Sequence, residues 1–242
     1  MVDSHLHLDA TESSASLALA AASDMYLFTC GVDRETSEFG IRLSTTENAV
    51  KAFVGVHPSE ALKEGSLRWL PTALGRASGV GEIGLDPKYS AIGVGSTQRK
   101  VFLAQLEAAE KGRKPVQVHS RGAEPECLDA MEEFGLKSVL VHWFQSEEIL
   151  PRVLKTGYFV SFGPSLLYSR RLQRMAASCD PRQVVTETDS PVSYGPLGGV
   201  HGPYLVPSVV FKLAELWGST FEDTRMTISR NALRFLGGTE KG

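Results

Sequence analysis

Val2-Asp3-Ser4-His5-Leu6-His7-Leu8-Asp9 is the stretch of this chain that says most about its fold. The stretch begins with apolar residues and has further apolar residues at Leu6 and Leu8, which predicts a short buried strand, Val2–Leu8. Side chains alternate between the two faces of a strand, so His5 and His7 point the same way. Two imidazoles on one face make half of a chelate for a divalent ion. If this strand opens a barrel, the pair lies near the mouth, and other strand ends must supply the remaining ligands.

Seven further apolar, β-branched runs follow at a spacing that leaves room for a helix between each pair. They are Met25–Cys30, Ala52–His57, Val80–Leu85, Val116–His119, Ser138–Phe144, Tyr158–Phe162 and Val184–Thr188. Amphipathic stretches lie between them, and the clearest are Gln98–Lys111, Ser146–Leu154 and Ser208–Trp217. About eight strands alternating with helices, each strand buried on both sides, predict an α/β fold: a single (β/α)8 TIM barrel over residues 1–242. A doubly wound open sheet is the alternative.

Size and charge are compatible with this barrel. The 242 residues are 42% hydrophobic, which is enough for one sizeable core, and such barrels have about 250 residues. The chain carries 25 basic and 28 acidic residues, a net charge of −3. This balance gives no bulk attraction to nucleic acid, so any affinity for phosphate must come from local groups or from metal.

The cysteines and the N-terminus bear on the cellular compartment. Cys30, Cys127 and Cys179 are odd in number and far apart, which is typical of buried thiols in a reducing environment. No signal peptide and no run long enough to span a bilayer are apparent. We therefore expect a cytoplasmic protein with no membrane contact.

Polar residues gather at the predicted strand ends. Five of the six histidines lie within or at the end of a predicted strand, namely His5, His7, His57, His119 and His142. Only His201 lies in a predicted loop. Glu82 and Asp189 each end an apolar strand with an acid, which is unfavourable unless the acid is paired or bound to metal. Imidazoles and acids that converge on one rim need a shared partner, and a metal centre supplies one.

Six short motifs run in one order along the chain at these strand ends. They are Asp3-Ser4-His5-Leu6-His7, Gly55-Val56-His57-Pro58, Gly81-Glu82-Ile83-Gly84-Leu85-Asp86, Val118-His119-Ser120-Arg121, Val141-His142-Trp143-Phe144 and Glu187-Thr188-Asp189-Ser190-Pro191. In this order they resemble the TatD-like metal-dependent deoxyribonucleases, a family within the amidohydrolase-type barrels. The resemblance covers the chain from its start to about its last fifth.

The resemblance implies a site with two divalent ions and these ligands: His5, His7 and Asp189 for one ion, His119 and His142 for the other, and Glu82 as the bridge. Two ions about 3.5–4 Å apart lower the pKa of a trapped water, which attacks phosphorus in line. Asp189 is the candidate to orient that water and accept its proton, and Glu82 is also expected to be a catalytic residue. His57 and Arg121 are expected to bind phosphate oxygens or to hold ligands in place. Mg²⁺, Mn²⁺ and Zn²⁺ all stay open as the metal.

Several of these residues also have a structural interpretation. His57 precedes Pro58 and could simply cap the next segment. Arg121 could anchor the loop that follows it. Asp86 is expected to cap the following segment, and Glu187 could be a partner for a ligating histidine.

The rim loops depart from the family pattern. Val192–His201 and Ala10–Ser16 both lack Lys and Arg, and the motif that commonly reads His-Cys-Phe is His142-Trp143-Phe144 here. Trp143 and Phe144 could stack on a base, although core packing is the commoner fate. Binding of a phosphate backbone normally draws on Lys and Arg. The candidates are Lys88, Arg99, Arg121 and Arg170, whereas Arg170, Arg171 and Arg174 together are typical of a solvated helix face.

The leading functional hypothesis is a hydrolase that cleaves DNA phosphodiester bonds, as a 3'-5' exonuclease on single strands. The alternative is a carbon-centred hydrolase of the same barrel type acting on an ester, lactone or amide, including an aminoacyl ester on tRNA. Related amidohydrolases often bridge their metals with a modified lysine on the fourth strand. Glu82 stands at that place here, which favours the DNA-cleaving hydrolase. A third hypothesis, a non-catalytic binding barrel, is disfavoured by the intact ligand set. DNA is the expected partner, and no protein partner is indicated.

Overall fold

The computed structural model describes residues 1–9, 13–198 and 202–237. Within these residues, eight strands form one parallel sheet in sequence order. The strands are β1 (Val2–Leu6), β2 (Tyr26–Cys30), β3 (Val50–Val54), β4 (Gly79–Gly84), β5 (Val116–His119), β6 (Val139–Val141), β7 (Phe159–Phe162) and β8 (Val184–Thr186). This arrangement confirms the predicted (β/α)8 fold.

Helices alternate with the strands over the same part of the chain. They are α1 (Ser13–Ser23), α2 (Arg34–Thr46), α3 (Leu70–Leu74), α4 (Thr97–Gly112), α5 (Glu124–Glu132), α6 (Leu150–Lys155), α7 (Arg170–Ser178), α8 (Val206–Trp217) and α9 (Phe221–Phe235). The three helices predicted from amphipathic spacing correspond to α4, α6 and α8, although α6 begins later than predicted. None of the helices described here has both the length and the apolar character to cross a bilayer.

The first and last strands meet and close the barrel. The Ser4 hydroxyl donates to the Thr186 carbonyl, and the Thr186 hydroxyl donates to the Val2 carbonyl, each at 2.7 Å. Just beyond β8, the Asp189 amide donates to the His5 carbonyl at 2.9 Å. A doubly wound open sheet would leave its two edge strands apart, so these contacts reject that alternative.

The N-terminal end of the barrel is closed by α9. Phe235 on this helix stacks at 5.6 Å on Phe53, which in turn lies 6.0 Å from Phe28, and all three rings are buried. The helix is fixed by Asn231, which donates to the carbonyl that begins β8, and by the Ser138 hydroxyl, which donates to the Phe235 carbonyl. Burying each ring contributes about 1.5–3 kcal/mol. The carboxyl ends of the strands are thereby left as the place for polar chemistry.

Four strands stop two or three residues earlier than predicted, and their last residues are Leu6, Val54, Val141 and Thr186. The apolar pattern misleads here because Leu8, Val56 and Phe144 are buried although they have left the sheet. His7, His57 and His142 therefore lie just beyond the strands, in connecting segments that line the cleft.

Candidate active site

The residues singled out from the sequence meet at the carboxyl ends of the strands. A cleft of about 740 Å³ opens there, and its wall includes His7, His57, Glu82, His119, Arg121, His142 and Asp189. His5 is fully buried beside this group. His201, and the parts of the two rim loops at 10–12 and 199–200, lie outside the described residues.

Close packing of β4 on β5 brings Glu82 to the site. Gly84, at the end of β4, has a φ of +151°, and a Cβ on it would lie 1.8 Å from the His119 carbonyl oxygen. Only glycine allows this approach. The Glu82 amide also donates to the Gly31 carbonyl at 3.0 Å, which fixes the carboxylate toward the barrel axis.

Glu82 lies between two pairs of imidazoles, and each of its oxygens faces one pair. Oε1 is 2.8 Å from His119 Nδ1 and 2.7 Å from His142 Nε2. Oε2 is 3.3 Å from His7 Nε2 and 3.7 Å from His5 Nε2. The structure therefore places the carboxylate predicted to bridge at the centre of the four predicted imidazole ligands.

Asp189 completes one half of this arrangement. Its Oδ1 lies 3.3 Å from His7 Nε2 and 3.6 Å from His5 Nε2. Its backbone is in the left-handed region with a φ of +48°, which is uncommon outside glycine and turns the chain sharply after β8. The turn brings the carboxylate back over the histidines of β1.

The second nitrogen of each β1 imidazole is held by a neutral acceptor. His5 Nδ1 donates to Gln117 Oε1 at 2.6 Å, and His7 Nδ1 donates to the Cys30 carbonyl at 2.8 Å. Each contact fixes the ring and leaves Nε2 to face the carboxylates. Sequence reasoning missed Gln117, whose only signal is a polar side chain within the apolar strand β5.

The other two imidazoles are held by carboxylates. His119 Nε2 donates to Asp86 Oδ2 at 2.8 Å, and His142 Nδ1 is 3.5 Å from Glu187 Oε2. The role expected for Glu187 thus has support in the geometry. Asp86 does cap its loop, because its Oδ1 accepts from the Lys88 amide at 2.8 Å. Its contact with His119 was missed, and its place at the end of the Glu82 motif was the available signal.

The donor set fits a divalent cation. His5 Nε2 is buried and has no hydrogen-bond partner among residues 1–9, 13–198 and 202–237. Its distances to Glu82 and Asp189 are too long for hydrogen bonds, yet they suit a cation held between these atoms. Three groups of ligand atoms each lie within 4.8 Å of one another, and they are His5, His7 and Glu82; His5, His142 and Asp189; and His57, Glu82 and His119.

The electrostatics also favour a cation. Burial alone would lower the pKa of His7, but Asp189 and Glu82 outweigh it and raise the pKa to about 10. Burial would raise the pKa of Glu82, but the surrounding imidazoles, with His142 and His57 foremost, hold it well below its usual range. Carboxylates that stay charged while buried attract a positive partner.

His57 both caps a turn and faces the site. Its Nδ1 accepts from the Ser59 amide at 3.2 Å at the start of a short 3₁₀ helix, Pro58–Glu60. Its Nε2 lies 3.7 Å from Glu82 Oε1. Burial lowers the pKa of His57 to about 4, so the ring is neutral at pH 7. The two interpretations drawn from the sequence are therefore compatible.

Arg121 is anchored and yet reaches the cleft. Its Nε and a terminal nitrogen donate to Asp86 Oδ2 at 2.8 and 2.6 Å, while its side chain is 54% exposed. Within the described part of the chain, Arg121 and Arg171 are the arginine or lysine side chains among the residues that line the cleft. Arg171, placed by sequence reasoning on a solvated face, donates to Gln145 at 2.8 Å there.

Imidazoles and carboxylates gathered at the mouth of a (β/α)8 barrel define the chain as a metal-dependent hydrolase. Residues 2–237 match the family described as TatD related DNase, and the chain belongs to that family.

Individual relatives agree with this assignment. The chain is 29% identical to human "Deoxyribonuclease TATDN3", over 97% of this chain and 93% of that protein. It is 28% identical to "Uncharacterized metal-dependent hydrolase TatD" of Mycobacterium tuberculosis, over 98% of each. The crystal structure of YJJV, a TATD homolog from Escherichia coli K12, has a TM-score of 0.88 at 22% identity and covers 99% of this chain and 98% of its own.

Proposed function

We propose that this protein is a deoxyribonuclease that uses two divalent ions and removes nucleotides from the 3' end of single-stranded DNA. The observation that carries the proposal is that the two carboxylate oxygens of Glu82 face separate imidazole pairs. A carboxylate so placed can bridge two cations, and paired cations suit the in-line cleavage of phosphodiesters. The deoxyribonuclease activity in the name of the human relative supports DNA as the substrate.

The distances around Glu82 and Asp189 support the ligand set implied by the family resemblance. His5, His7 and Asp189 would hold one ion, and His119 and His142 would hold the other, with Glu82 shared between them. When bound, the ions supply a lowered pKa for the attacking water and neutralisation of phosphate charge. Mg²⁺, Mn²⁺ and Zn²⁺ are all candidates, although the imidazoles favour Mn²⁺ or Zn²⁺.

Asp189 is the residue proposed to act on the attacking water. It is nearly buried, stays charged beside His7, and has a second oxygen besides the one that faces the histidines. A carboxylate in this position can orient a water and accept its proton.

His57 and Arg121 are proposed to bind the phosphate. Because His57 Nδ1 accepts from the Ser59 amide, the proton of the neutral ring is on Nε2. That N–H points toward the site and can donate to a phosphate oxygen. Asp86 holds the Nε and one terminal nitrogen of Arg121, and the remaining N–H groups of this half-exposed guanidinium can donate to a phosphate oxygen.

Cleavage of DNA labelled at its 5' end tests the proposal. In Mg²⁺ or Mn²⁺, the wild type should shorten a single strand stepwise, and His119→Ala should be at least about 100-fold slower, because it removes a metal ligand. Asp129→Asn, on the exposed face of α5 and away from the cleft, is the control and should cleave as the wild type does. No cleavage by the wild type, or equal cleavage by His119→Ala, rejects the proposal. Ester turnover without nuclease activity would favour the carbon-centred alternative.

We also propose that the protein acts in a reducing compartment such as the cytoplasm. Cys30, Cys127 and Cys179 are all unpaired thiols and all buried. Unpaired thiols are the usual state of cysteine where glutathione and thioredoxin are active.

A further inference from the structure

We propose that Trp143 is a stacking platform for a nucleobase, and that it makes the enzyme select strands that carry bases over bare phosphodiester chains. The inference rests on the proposed function and deepens it, because it concerns the same cleft. It depends on how Trp143 is held, on what lies around its ring, and on the shortage of cations at the rim.

The backbone of Trp143 is fixed directly beside the site. Its φ is +41°, a left-handed conformation that is uncommon for a bulky residue. Its amide donates to Glu187 Oε1 at 2.9 Å and to the Ser161 hydroxyl at 3.1 Å. Glu187 and Ser161 are buried, and the Ser161 hydroxyl donates a hydrogen bond to Glu187 Oε2 at 2.6 Å. The backbone of Trp143 is therefore held by buried side chains. Such strain in a fixed position is typical of functional sites.

The indole ring forms part of the cleft wall. It is half-buried, and its centroid lies 5.5 Å from the ring of Tyr194. Tyr194 is only 2% exposed, and its hydroxyl donates to the Thr188 carbonyl at 2.7 Å. The Trp143 ring thus lies against a rigid neighbour, and it is only partly buried.

The ring is placed to meet a base. Trp143 follows His142, whose Nε2 lies 2.7 Å from Glu82 Oε1, and all three side chains line the same cleft, so we assign the indole to the base of a nucleotide whose phosphate lies against Glu82. Tyr89 also lines the cleft, but His57 packs against it at 5.4 Å and the Arg121 guanidinium lies 5.8 Å from its centroid. Tyr89 therefore belongs to the phosphate end of the cleft, and Trp143 offers the platform for a base.

Stacking also explains how a chain with few rim cations can hold a nucleic acid. Net charge is −3, and Arg121 shares its charge with Asp86. Stacking on an aromatic ring changes affinity by about 5- to 150-fold per base and does not depend on which base it is. Because part of the affinity then comes from stacking, it should fall less steeply with salt than the affinity of a site that holds every phosphate with Lys or Arg.

The first test compares two DNA octamers in Mn²⁺, one of thymidines and one with abasic residues at its three 3'-terminal positions. The wild type should prefer the base-bearing octamer by about 10-fold in kcat/KM. Trp143→Leu should reduce this preference to about 1, and Trp143→Phe should retain most of it. Phe211→Leu, which removes an exposed aromatic on α8, is the matched control and should leave the preference unchanged. Equal preference in the wild type and Trp143→Leu overturns the inference.

The second test does not require hydrolysis. Thymidine 5'-monophosphate should quench the tryptophan fluorescence of the Mn²⁺-loaded wild type, whereas deoxyribose 5-phosphate should not. The quenching should vanish in Trp143→Phe, which leaves Trp69 and Trp217 as the remaining indoles. Quenching that persists in Trp143→Phe, or equal quenching by the two phosphates, overturns the inference. Failure of the proposed function is a separate result, because neither octamer would then be cleaved.

Discussion

Replacing Asp86 with Asn should weaken the ion held by His119 while leaving the ion held by the β1 histidines almost unchanged. Asp86 is 1% exposed and uses both carboxylate oxygens. Oδ2 accepts from His119 Nε2 at 2.8 Å and from Arg121, and Oδ1 accepts from the Lys88 amide. Asparagine keeps a single oxygen and puts an NH₂ group against N–H donors on the other side.

The magnitude follows from this loss. Removing the partner that orients a ligating histidine weakens metal binding by about 10- to 100-fold, which is about 1.4–2.7 kcal/mol. The buried N–H donors that lose their carboxylate acceptor also lower the free energy of unfolding by about 1–3 kcal/mol. For a chain of this size, that loss lowers Tm by about 2–4 °C for each kcal/mol.

The assay is titration calorimetry with Mn²⁺, which resolves two binding steps where two ions bind with different affinity. We expect one step to weaken in Asp86→Asn and the other to stay within about 2-fold of the wild type, because Asp86 accepts from His119 and not from a β1 histidine. Asp129→Asn controls for the change in charge. If Asp86→Asn binds both ions as the wild type does, Asp86 does not position His119. If both steps weaken equally, the division of the site into two halves is wrong.

Uptake of Mn²⁺ should release protons, because the raised pKa of His7, about 10, means that the metal-free protein holds a proton there. The apparent affinity should therefore increase as pH rises from 7 toward 10, and calorimetry in buffers of different ionisation enthalpy checks this. No proton release would show that His7 is not a ligand. Gly84→Ala should lower the free energy of unfolding by more than about 3 kcal/mol, because its Cβ would clash with the His119 carbonyl, whereas Gly93→Ala, with nothing within 4 Å, should not. Urea unfolding of both variants measures the difference, and equal stability would contradict the packing of β4 on β5. Arg171→Gln should raise KM for single-stranded DNA by a few fold and reduce the slope of log affinity against log salt by about 0.7. An unchanged slope would place Arg171 outside the DNA path.

The sequence alone was sufficient for the barrel and for the set of residues that meet at its mouth. Strand period is a local property, and so is the placing of His5, His7 or Glu82 beside apolar residues at a strand end. In a parallel barrel all carboxyl ends lie at one rim, so residues far apart in sequence are brought together by topology. That is why the histidine and acid motifs could be assigned to one site without knowledge of the loops.

The tertiary structure decided which atom faces which partner. The partners of the imidazoles, such as Gln117 for His5 and Asp86 for His119, lie 112 and 33 residues away in sequence. No local pattern encodes such a pair, because it depends on strand register and on side-chain rotamers at one depth of the barrel. The support of Trp143 by Tyr194 was hidden for the same reason. Local periodicity fixes elements and faces, whereas hydrogen-bond partners are chosen only when the packed core brings distant strands within about 3 Å of each other.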